Sequence, residues 1–186
     1  MISEEIVEAT WRDTAALSRS IATAGIGNLG KLQPTLFRFV ITEAEAFSRP
    51  ANELAVYMFF VVSRMFYGKT THIRKINSVA VRRHEAAIIS RLESLQGAHD
   101  AFLQRAAEVL SSREPFVFRY VVETIVEAPT SEADPIPLSE AEQGAIFILL
   151  ATAIECLTSA TQRAQAGSNL PPNPRFKRTR CARRLT

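Results

Sequence analysis

Between residues 64 and 84 the chain places Arg64, Lys69, Arg74, Lys75, Arg82 and Arg83 without a single aspartate or glutamate. Cations gathered in this way create a local positive field that attracts nucleic acid or acidic polypeptide. Lys75 and Arg82 are seven residues apart, so a helix running through both carries them on one face. Lys69, Arg74, Lys75, Arg82 and Arg83 are therefore the candidate nucleic-acid-binding residues. No helix-turn-helix, zinc finger or aromatic stacking motif stands beside them. A charged helix face is ordinarily just hydrated, and the same stripe serves anionic protein partners equally well.

Gly25, Gly27 and Gly30 match the spacing G-x-G-x-x-G, and Glu45 follows twenty residues after the first glycine. A dinucleotide site needs a strand before that motif and a helix beginning within it, because the pyrophosphate rests on the helix N-terminus. Here ALSRSIATA reads as the end of a helix, and the next helix waits for Pro34. The glycines thus read as a connector between helices, with no cofactor expected.

His72, His84 and His99 are spaced by 12 and 15 residues, and neither His-Glu-x-x-His nor Cys-x-x-Cys occurs; no metal site follows. His84 and Glu85 make a poor acid–base pair, since neighbours on a helix diverge by about 100°. Glu43 and Glu45 also point in different directions, while Glu140 and Glu142 suit the start of a helix. No serine sits in a nucleophile-elbow context. With no catalytic residue to name, the reading leans away from an enzyme.

The elements that must carry these residues read as helices throughout; no segment alternates like a strand between hairpin turns. Ser3 with Glu4 and Glu5 opens a first helix over about 4–23, and Pro34 a second over 34–47. Pro50 opens a third over 51–67, apolar almost all round and stopped by Gly68. A fourth runs over 70–96, capped by Thr70 or Thr71, with Val81, Ile88, Leu92 and Leu95 inward, until Gly97. A fifth follows at 98–111 with Phe102, Leu103, Ala106 and Leu110 inward, and a sixth starts at Pro115. APTSEADPIP is a polar loop, after which Ser139 and Glu142 form a capping box for the last helix, 140–166. The expectation is an all-α compact bundle of about seven helices.

The phrase PTLFRFVI at 34–41 returns as PFVFRYVV at 115–122, each at the start of a helix that precedes a strongly apolar one. Leu17-Ser18-Arg19 and Leu103-Gln104-Arg105 echo each other more weakly. These matches point to an internal duplication of a three-helix unit, with pseudo-repeats about 4–67 and 98–166 joined by the helix 70–96. Arg38 and Arg119 then occupy equivalent places amid apolar neighbours, where two cations offer a symmetric anion site or, as is more common, each pairs with an acid or reaches solvent.

The chain has 186 residues and a net charge of +3. Residues 1–166 hold all 19 acids with 16 bases, while the tail 167–186 holds six bases, three prolines and no acid. The tail reads as a flexible, solvated appendage. The two apolar stretches, 54–63 and 143–154, are shorter than the roughly 20 residues of a membrane span. The acidic N-terminus lacks the charge pattern of a signal peptide, and Cys156 and Cys181 suggest no disulfide framework. A cytoplasmic protein acting through protein–protein contacts, as adaptor or regulator, is the leading expectation, with no membrane partner. Nucleic-acid binding through residues 64–83 and the tail is the alternative, and a cleft between the pseudo-repeats that takes a small molecule is the second. Homo-oligomerisation is left open.

Overall fold

Ser18, expected inside the first helix, starts a new one. The computed structural model describes residues 1–70, 72–93, 102–110, 113–130 and 135–168. In it α1 spans Glu4–Ala15, α2 Arg19–Leu32, α3 Pro34–Ala44 and α4 Arg49–Lys69; α5 spans Ser78–Glu93, α6 Phe102–Leu110, α7 Pro115–Glu127 and α8 Glu140–Ser168. A 3₁₀ turn at Ala128–Thr130 follows α7. The fold is all-α, with no sheet among the described residues. Among the described residues eight α-helices stand where about seven were expected. The expected roles of Leu95, Gly97, His99, Cys181 and the basic tail lie outside the described residues.

The extra helix arises because Ser18 adopts an extended backbone and its hydroxyl accepts from the Ile21 amide. A serine that bonds the amide three residues on favours a helix start over a helix interior. The consequence is a correction: Gly25, Gly27 and Gly30 form no connector but lie inside α2. Gly25 lets the Phe60 ring of α4 approach the α2 backbone, since a Cβ there would lie 2.6 Å from Phe60 Cζ.

The fourth helix also starts later than the sequence pattern suggests. Residues 72–77 are non-helical, and the side chain of Asn77, in place of Thr70 or Thr71, accepts from the Ala80 amide at 2.8 Å to open α5. Val81, Ile88 and Leu92 face the core as expected. Lys75 therefore lies off the helix that carries Arg82, and the two do not share a helical face.

The core is centred on α8, which packs against α3, α4, α5 and α7. Phe147 and Leu150 on α8 are fully buried beside Phe59 and Met58 on α4 in one apolar cluster with Phe118 and Val121 from α7. Phe118 and Phe147 meet in a tilted ring pair at 6.4 Å, a geometry that adds to plain area burial. By length and composition residues 140–161 would also suit a membrane span, yet 72% of the most apolar window there is buried inside the protein. That burial is what a central core helix requires.

The capping box forms as read. Glu142 accepts from the Ser139 amide at 3.0 Å and from its hydroxyl at 2.8 Å, and the Glu142 amide donates back to Ser139 Oγ at 3.2 Å. The other carboxylate oxygen accepts from the Ser48 amide at 3.0 Å. One side chain thus ties the start of α8 to the start of α4.

Candidate anion-binding surface

Gln33, the residue between α2 and α3, is 2% exposed and fixes the path of residues 72–77. Its amide nitrogen donates to the Arg74 carbonyl at 3.1 Å and to the Tyr67 hydroxyl at 3.2 Å. Its amide oxygen accepts from the Ile76 amide at 3.0 Å. A buried side chain that satisfies both a carbonyl and an amide of an irregular segment holds that segment in one conformation. Ile73 and Ile76 anchor the same segment in the core, so Arg74 and Lys75 stand outward between them.

The five candidate residues then divide. Lys69, at the end of α4, donates to the Met1 carbonyl at 2.8 Å and has a structural occupation. Arg74 and Lys75 are exposed on the segment before α5, and Arg82 and Arg83 are exposed on the first turns of α5. No ion pair engages any of these four among the described residues. Arg64, the first cation of the stripe, is turned inward. It donates to Thr14 Oγ1 at 3.0 Å and lies over the Phe60 ring at 5.7 Å, joining α4 to α1. The continuous stripe of the sequence is thus a cluster of four around the start of α5.

Arg74, Lys75 and Arg83 also line a cavity of about 90 Å³ between residues 74–77, α5 and α8. Ile76, Cys156 and Ala160 form its buried apolar side, and Asn77, Ala80, His84 and Ser159 complete the wall. The thiol of Cys156 is pushed up to about 12 by burial, helped by the charge of Glu155 and opposed by Arg83. It is therefore a neutral thiol at physiological pH, not a nucleophilic thiolate.

Outside this cluster, one pairing appears that the sequence does not suggest. Glu43 of α3 and Glu85 of α5 line a common cavity of about 150 Å³ with Phe39, Phe47 and Leu149, and neither Glu45 nor His84 lines it. Burial, then the charge of Glu43, raises the Glu85 carboxyl above its ordinary value. This pairing depends on α3 meeting α5 across 42 residues, which no local spacing encodes. A larger apolar groove of about 430 Å³ runs along α6 and α7 past Phe118, Val122 and Val126. Among the described residues no group of three His, Cys, Asp or Glu is placed to hold a metal.

Arg38 and Arg119 differ in use. Arg119 pairs with Glu4 of α1, lies 3.9 Å from Glu123 and stacks on Phe116 at 5.3 Å. Arg38 is exposed without an ion pair among the described residues. No family model matches the chain, and no match was found among curated proteins or solved structures.

Proposed function

We propose that this is a cytoplasmic, non-enzymatic protein that holds an acidic protein partner on the outer face of α5. The observation that carries this reading is the row Val79, Arg82, Ala86 and Ile89. Their spacing of three or four residues puts them on one stripe. All four are exposed, Val79 by 66% and Ile89 by 40%. A single cation, Arg82, set among exposed apolar side chains suits an acidic amphipathic segment whose apolar face covers Val79, Ala86 and Ile89 while a carboxylate meets Arg82. Nucleic acid needs the cations but leaves Val79 and Ile89 without a partner. The buried free thiol Cys156 fits a reducing compartment.

The test is capture of partners from native cell extract, with and without nuclease, using the wild type and the variants Val79→Ser with Ile89→Ser, and Arg82→Glu. Capture that resists nuclease and is lost in both variants upholds the reading. Capture that disappears with nuclease transfers the surface to nucleic acid, and then Lys75, Arg82 and Arg83 changed to Glu should abolish it, with a steep fall as salt rises.

We also infer that the chain contains an internal duplication, with boundaries that differ from those suggested by the sequence. α2 packs on α3, and α3 on α4 and α5; in parallel, α6 packs on α7, and α7 on α8 and α1. α4 with α1 repeats α8 with α5, while α4 and α8 face each other. The units are then 19–93 and 102–168 completed by α1, in place of 4–67 and 98–166. Gln33 and Glu114, each just before a helix-opening proline, support this. Their backbones match, at φ −132°, ψ 66° and φ −137°, ψ 62°. Both side chains are buried and both accept from an isoleucine amide, Gln33 from Ile76 and Glu114 from Ile2.

A further inference from the structure

We propose that the cavity between residues 74–77, α5 and α8 binds a divalent oxyanion of the phosphate class. Arg74 and Lys75 enter it from the irregular segment and Arg83 from α5. Two guanidinium forks and an ammonium offer more positive charge and more N–H donors than one carboxylate can neutralise, whereas a tetrahedral dianion uses both. No carboxylate lines the cavity; the charges of Glu155 and Glu85 reach Cys156 from outside the lining, and the thiol itself is neutral.

Size narrows the ligand further. A volume of about 90 Å³ is several times the ~10–15 Å³ that one water requires. It is well below the ~300–1,000 Å³ of sites that enclose drug-sized ligands. A phosphate group fits, and the remainder of any larger molecule has to stay outside. The backbone that presents Arg74 and Lys75 is fixed beforehand by Gln33, so the ordering that accompanies binding is confined to the side chains. Arg82 belongs to the outer stripe and does not line the cavity, which separates this site from the partner surface.

The test is equilibrium dialysis of the full chain against labelled inorganic phosphate, at ionic strength held constant with chloride. Saturable binding is expected, weakened at least tenfold in Arg74→Gln and in Arg83→Gln and within twofold of wild type in Arg82→Gln. Circular dichroism melts of each variant check that these exposed substitutions leave the fold intact. Competition by O-phosphoserine assigns the ligand to phosphorylated molecules, and its failure to compete assigns it to free phosphate; both results uphold the pocket. Absence of saturable binding in the wild type, or binding that persists when Arg74, Lys75 and Arg83 are all changed to Gln, overturns the proposal.

Discussion

Gly25 and Gly27 show how neighbouring glycines differ once the element around them is known. Inside a helix, glycine costs about 0.5–1 kcal/mol relative to alanine. At Gly27 an added Cβ meets nothing within 4 Å, so Gly27→Ala should stabilise the protein by about that amount. At Gly25 the same atom would lie 2.6 and 2.8 Å from the Phe60 ring. That ring is 4% exposed and lies beneath the Arg64 guanidinium, so it has little room to yield. Overpacking of this kind costs about 1–3 kcal/mol, more than the gain in helix propensity, and Gly25→Ala should destabilise. Urea unfolding of both variants checks the opposite signs; a stabilised Gly25→Ala would show that Phe60 relaxes freely. The sequence displays the three glycines plainly, but they read as a connector because the first helix is drawn straight through Ser18, the cap that converts them into helix.

At the scale of elements, prolines were dependable signals: Pro34, Pro50 and Pro115 each lie in the first turn of a helix, as their fixed φ and missing amide donor dictate. Helix ends set by tertiary contacts were less legible, and residues 72–77 are the clearest case. Thr70 and Thr71 offer caps for a helix start, yet Gln33 captures the stretch after them from 41 and 43 residues away. Removing Gln33 should leave the buried Ile76 amide unpaired, at a cost of about 1–3 kcal/mol. Gln33→Ala should also speed hydrogen exchange at Ile76 and weaken the neighbouring anion site. Under the proposed duplication, Glu114→Ala should do the same at Ile2, with a stability loss of similar size. Amide exchange by nuclear magnetic resonance reads both; a loss confined to one position would leave the matched backbones a coincidence and sink the duplication.

For the whole molecule, the all-α architecture was readable because helical periodicity and polar breaks recur along the entire chain, whereas contacts between α3 and α5 or α4 and α8 depend on how the elements pack. Those contacts create two carboxyls that respond to pH in opposite ways. Glu142 accepts hydrogen bonds from Ser48 and Ser139, which hold its carboxyl down to about 2 from the ordinary 4.5. A depressed native value contributes stability above the unfolded range, and that contribution fades as pH falls from about 4.5 through about 2. Glu85 is raised by burial and by Glu43, so its ionised form opposes folding above its native value and the penalty fades as pH falls towards the unfolded value. Glu142→Gln should therefore be less stable than wild type at neutral pH, with the gap closing in strong acid. Glu85→Gln should be more stable at neutral pH and should lose that advantage as wild-type Glu85 becomes protonated. Urea midpoints measured from neutral pH down to about 2 follow both differences. A Glu142→Gln penalty that stays constant across this range would mean that the bonds from Ser48 and Ser139 do not depend on the carboxylate charge, which would overturn the depressed carboxyl as their source of strength.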